Sequence, residues 1–124
     1  DWWALHDERE QMRLRWQAFF EHYDLLLCPT AASTAFVHDQ TGERPDRTID
    51  INGQQELVVD QLFWAGLSGV VYLPSTVVPA GVTRSGLPCG LQLIAPYLED
   101  NTAIEFAQLM VDVVGGFQPP PGYQ

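Results

Sequence analysis

Two short apolar runs, Ser75-Thr76-Val77-Val78-Pro79 and Gly90-Leu91-Gln92-Leu93-Ile94-Ala95, flank Ala80-Gly81-Val82-Thr83-Arg84-Ser85-Gly86-Leu87-Pro88. Branched and aliphatic residues favour strand, and Gly and Pro interrupt it, so the segment predicts an antiparallel hairpin. Pro79 has no N–H to give a ladder and is expected to close the first strand or to sit at a bulge. The same region excludes a membrane span. Residues 61–83 carry no charge, but Gly66, Gly69, Pro74 and Pro79 break them and Gln and Ser interleave them.

Around the hairpin the periodicity changes. Met12, Trp16, Phe19, Phe20 and Tyr23 recur at helical spacing opposite Glu8, Arg9, Arg13 and Glu21, which predicts an amphipathic helix from about 5 to about 22. The unbroken apolar run at 25–28, closed by Pro29, reads as a strand covered on both faces. Residues 31–55 form a long loop with turn chemistry at 41–46 and a short alternating stretch at 48–53. A second helix is expected over 55–67. Asp100 is the expected N-cap of a last helix, in which Ala103, Phe106, Ala107, Met110, Val111 and Val114 share one face. Gly115-Gly116 ends it, and 117–124 reads as an extended tail. The expected fold class is α/β, with helices packed on a small mixed sheet. Few strands and a doubly covered run imply that this sheet is one edge of a larger one.

Charge and residue inventory narrow the chemistry. Sixteen acids against six bases give a formal net charge of −10 over 124 residues, which repels phosphate backbones and disfavours nucleic acid as a direct partner. All six bases are Arg, so a Ser-Lys mechanism has no lysine within this chain. Ser33, Ser68, Ser75 and Ser85 stand in no nucleophile elbow. His6, His22 and His38 lie far from one another and from Cys28 and Cys89, so no metal or cofactor motif is read. The two cysteines read as free thiols in a reducing, cytoplasmic setting. No signal peptide is visible after Asp1. Glu99-Asp100 suits a helix N-terminus better than a catalytic carboxylate pair.

Four segments in order carry a resemblance. They are Trp16-Gln17-Ala18-Phe19-Phe20-Glu21-His22-Tyr23-Asp24-Leu25-Leu26-Leu27-Cys28-Pro29-Thr30, then Trp64-Ala65-Gly66-Leu67, then Leu73-Pro74-Ser75-Thr76-Val77-Val78-Pro79-Ala80-Gly81. Gly86-Leu87-Pro88-Cys89-Gly90-Leu91-Gln92-Leu93-Ile94-Ala95-Pro96 is the fourth. Together they resemble the C-terminal portion of the amidase signature family, over nearly the whole chain. The resemblance implies a single C-terminal segment, 1–124, of a larger α/β/α enzyme that hydrolyses carboxylic amides to acid and ammonia or amine.

The family's Ser nucleophile, second Ser and Lys match no position here, so the implied role is scaffold and part of the substrate pocket, inert alone. Asp60 and Trp64 are the implied substrate-facing residues. On the residues alone they read as a solvated acid and a core tryptophan. The implied partners are a small amide substrate and the N-terminal half of the enzyme, and an isolated segment is expected to self-associate. Two alternatives stay open: a stand-alone interaction domain built on the same fold, and part of the large A-type component of an amidotransferase. The Trp64 segment and Leu73-Pro74-Ser75-Thr76 look more like free-standing amidases.

Overall fold

The computed structural model describes residues 1–123; Gln124, the end of the expected tail, lies outside them. In chain order the elements are α1 (Trp2–Phe20), β1 (Leu26–Pro29), a 3-10 turn (Arg44–Asp46), β2 (Thr48–Ile51) and β3 (Gln54–Leu57). A second 3-10 turn (Val58–Gln61), α2 (Leu62–Gly69), β4 (Ser75–Val82), β5 (Pro88–Ile94) and α3 (Asp100–Val114) follow. Every strand pairing among the described residues is antiparallel: β5 lies between β1 and β4, and β2 pairs with β3 in a separate hairpin.

The β4–β5 hairpin forms as its sequence predicts, with strands that run farther into the turn. Pro79 is accommodated at a bulge, where the register shifts between Pro79 and Gly81. Thr83 closes the tip. Its N–H donates to the Leu87 carbonyl at 2.8 Å, and its hydroxyl accepts the Leu87 N–H at 3.1 Å. Gly86, at φ +81°, turns the chain where a side chain would be strained.

Four expectations are corrected. The helix expected from 5 starts at Trp2, because the Asp1 carboxylate accepts the Trp3 N–H at 3.2 Å and caps it. The run at 25–28 forms β1 as expected, but among the described residues its cover on both faces is incomplete. Only β5 lies beside it, and Leu27 is 45% exposed. The helix expected over 55–67 begins only at Leu62. Asn52 and Gly53 both adopt positive φ (54° and 84°), as a tight two-residue hairpin turn needs, and fold 54–57, where the expected loop meets the expected helix, back on β2. Asp100 stands inside the first turn of α3, with Glu99 at the cap position. Asp100 still faces the positive end of the helix dipole, while Glu99 accepts the Thr102 hydroxyl at 3.0 Å.

Register sorts the three-stranded sheet into two faces, since side chains alternate along a strand. Leu27, Leu93 and Thr76 share one row, and Cys28, Gln92 and Val77 share the next, pointing the other way. On the first face Val78, Leu93 and Ala95 pack against Ala103 and Ala107 of α3, rimmed by Leu25, Leu91, Phe106 and Met110. The small alanines let the helix approach closely. On the second face Gln92 bonds to α2, and Leu26 shares a hollow with Met12, Trp16 and Phe19 of α1. The sheet therefore carries helices on both sides.

α1 is held more lightly than α3, for none of its residues is fully buried. Its aromatics pack largely on each other, with Phe19 stacked on Tyr23 at 4.7 Å and Trp16 near Phe20 at 5.7 Å. Two guanidinium groups reach the body: Arg9 lies over the Tyr72 ring at 4.7 Å, and Arg13 over the Tyr97 ring at 4.7 Å.

The difference in burial gives a test. Leu93 has no exposed surface, so Leu93→Ala is expected to cost about 2–5 kcal/mol in denaturant unfolding. Leu57→Ala, in the exposed β2–β3 hairpin, is expected to change stability by less than about 0.5 kcal/mol.

Candidate functional site

At the end of β1 the chain bends through residues 30–34 and is caught from a distance. The Ala32 N–H donates to the Gln61 carboxamide oxygen at 2.7 Å, across 29 positions of sequence. Gln61 ends the 3-10 turn that leads into α2, so the turn and the loop are one unit. Asp60 precedes it and is exposed, and its carboxylate takes no hydrogen bond among the described residues. Trp64 follows in α2, half-buried, its ring edge-to-face with Phe63 at 5.2 Å.

Asp60 and Trp64, the two residues singled out by sequence, thus lie on either side of Gln61 but touch each other in no hydrogen bond or ring contact among the described residues. The shift from 3-10 turn to α-helix between them breaks the i, i+4 alignment that a continuous helix would give. Two residues that sequence reasoning missed organise this place. Gln61 anchors the loop. Gln92, at 6% exposure in the central strand, donates from Nε2 to the Trp64 carbonyl at 3.3 Å and to Cys28 Sγ at 3.5 Å. A glutamine inside an otherwise apolar run was the available signal, because a buried amide has to find partners.

The arrangement offers an unpaired acid, an aromatic ring and a fixed loop, which suits reception of a polar group with an N–H to donate. It offers no nucleophile. Among the described residues no serine hydroxyl or cysteine thiol shares a hydrogen bond with a histidine or a carboxylate. Ser33 donates to the Thr34 carbonyl at 3.1 Å, and Ser68 to Ser75 at 3.4 Å. His6 pairs with Arg9 and stacks on Trp2 at 5.4 Å. No three metal-ligating side chains cluster among the described residues. A cleft of about 470 Å³ opens between α1 and the 71–73 segment, lined by Arg13, Phe20, Leu73 and Tyr97 among others; Asp60 and Trp64 do not reach it.

One carboxylate is electrostatically distinct. Asp39 accepts the hydroxyl of Thr41 at 2.7 Å and its N–H at 2.8 Å, and these bonds, helped by Arg47, hold its carboxyl below the usual aspartate range. A lowered folded pKa means that this turn gains stability above the unfolded value and loses it as pH falls through the folded one. A titration followed by NMR is expected to place the Asp39 midpoint below that of a free aspartate, and Thr41→Val to move it upward.

Known proteins resemble this chain in sequence and in fold. The sequence model of the Amidase family matches residues 1–104. The A-type component of glutamyl-tRNA(Gln) amidotransferase from Exiguobacterium sp. is 32% identical over 121 residues, covering 94% of this chain and 23% of the relative. Its counterpart from Gluconobacter oxydans is 38% identical over 85 residues, 68% of this chain and 15% of the relative. Among solved structures, the counterpart from Thermotoga maritima superposes with a TM-score of 0.70 at 21% identity, covering 94% of this chain and 24% of that one. A chain of the structure described as "An unexpected vestigial protein complex reveals the evolutionary origins of an s-triazine catabolic enzyme" gives 0.71 at 19%, covering 92% and 24%. At these identities the structural likeness speaks for the fold. The chain spans less than a quarter of the length of these curated relatives.

Proposed function

The chain belongs to the amidase family, and from that premise we propose that it is the C-terminal part of an amidase signature hydrolase that cleaves carboxylic amides to acid and ammonia or amine. In this reading it supplies scaffold and one wall of the substrate pocket, and the reacting groups come from the N-terminal part. The observation that carries the reading is the match of the Amidase family model to residues 1–104 of a chain that spans less than a quarter of its curated relatives. An unactivated hydroxyl is a poor nucleophile, and pocket contacts alone do not replace one. The free thiols of Cys28 and Cys89 suit a cytoplasmic location.

Asp60 and Trp64 are the proposed substrate-facing residues. Asp60 is exposed and free to accept a donor N–H, and Trp64 presents a half-buried ring. A second reading, the A-type component of an amidotransferase, is favoured by the name that the curated relatives share. With a formal charge of −10 this segment would not be the part that meets a tRNA phosphate backbone.

The 124-residue chain alone is expected to release no ammonia from amides, and the complete polypeptide to do so. In the complete polypeptide Asp60→Ala is expected to lower kcat/KM about tenfold or more for amides bearing an amino group, the size of one lost hydrogen bond to a charged group. Trp64→Ala is expected to weaken aryl amides more than aliphatic ones. Ammonia release by the isolated chain would overturn this account of where catalysis resides.

The isolated chain is further expected to self-associate. Val77 and Val82 on the edge strand β4 are 58% and 72% exposed, and a free strand edge beside apolar side chains invites pairing with another chain. Sedimentation that stays monomeric as concentration rises would refute that expectation.

A further inference from the structure

Gln92 stands where an apolar residue would cost less. It occupies the middle of β5, the strand paired on both sides, with Leu91 and Leu93 as neighbours and Cys28 and Val77 beside it in register. Burying a carboxamide costs free energy that its hydrogen bonds only offset, so a buried amide is a poor choice as mere filling. Its orientation is fixed by chemistry. The Trp64 carbonyl can only accept, so the NH2 end of the side chain must face α2. The same NH2 reaches Cys28 Sγ on β1. One amide thus joins the edge strand, the central strand and the helix that carries the candidate pocket wall.

We propose that Gln92 is a positioning residue: by fastening the Trp64 turn of α2 to the sheet, it fixes where Asp60, Gln61 and Trp64 stand above the end of β1. The proposal rests on the reading of those residues as pocket wall. α2 is only eight residues long, runs Leu62–Gly69, and has Ser68 as its one fully buried residue, so it has little apolar grip of its own. Besides the Gln92 bond it shares the 3.4 Å contact of the Ser68 hydroxyl with Ser75. Through Gln61, the 30–34 loop moves with it. A wall residue that contacts substrate alike in the ground and transition states contributes uniform binding, so displacing it raises KM and leaves kcat nearly unchanged.

The test uses Gln92→Met and Gln92→Leu, which keep volume and remove the donor, in a Cys89→Ser background that leaves Cys28 as the reporter thiol. Loss of one hydrogen bond corresponds to about a fivefold shift in the opening of α2. Cys28 is expected to react with a thiol reagent about fivefold faster, and α2 amides to exchange faster by a similar factor. In the complete polypeptide the variants are expected to raise KM for amides by about fivefold or more, with kcat changed about twofold at most. Melting temperature is expected to hold, because an apolar side chain replaces a buried amide.

Unchanged Cys28 reactivity and α2 exchange would overturn the tie. Faster exchange with unchanged KM in a polypeptide that hydrolyses amides would overturn the positioning role while leaving the amidase reading standing. A wild-type polypeptide without amide hydrolysis would fail that reading, and the positioning role with it. A fall in melting temperature that accounts for the whole loss of activity would reduce Gln92 to a structural residue and also overturn the proposal.

Discussion

β5 holds hydrogen-bonded partners along both edges and packed helices on both faces, and the remainder of the molecule is arranged by that constraint. Leu93, Ile94 and Ala95 have no exposed surface, so this stretch of chain is the driest part of the protein. From Leu91 to Ile94 this strand has β1 on one side and β4 on the other, so its backbone groups there find partners within the sheet. Gly90 shows how tight the fit is. A methyl group there would come within 3.2 Å of Val77 Cγ1 and 3.4 Å of the Val78 carbonyl oxygen, so the Val77 side chain would have to give way slightly to admit one beside the bulge.

Grip falls off with distance from that strand. α3 sets two alanines against it, while α1 buries no residue fully and the β2–β3 hairpin exposes all of β3. The candidate site lies between these regimes, on a short helix with one buried serine and a loop caught by one glutamine. A tightly packed sheet beside a lightly held helix and loop is a common pairing, in which the sheet sets distances and the segments with few buried contacts open first.

The sequence was legible where periodicity and turn chemistry agree. The β4–β5 hairpin, the bulge around Pro79 and the alanine face of α3 follow from local pattern because local pattern and tertiary burial ask for the same residues there. At 54–57 they diverge. Gln54, Gln55 and Glu56 tolerate helix well, but the Asn52-Gly53 turn imposes positive φ at two successive residues and reverses the chain first. The composition at 25–28 asks for cover that the described residues supply only in part, in keeping with a sheet expected to be one edge of a larger one. At the candidate site the resemblance singled out Asp60 and Trp64, while the two glutamines that hold the place act through contacts 29 and 28 positions away in sequence, which local pattern does not reveal.

The Arg–Tyr contacts of α1 have a consequence of their own. Tyr72 sits at φ +62°, a left-handed conformation that a bulky residue adopts at a cost, and there Arg9 and Arg13 lie above its ring at 4.7 and 5.5 Å. If the first nineteen-residue helix swings away, that backbone kink loses the contacts that accompany it and is free to relax. The seat of α1 and the shape of the turn at 70–73 are thereby coupled through two guanidinium groups and one ring.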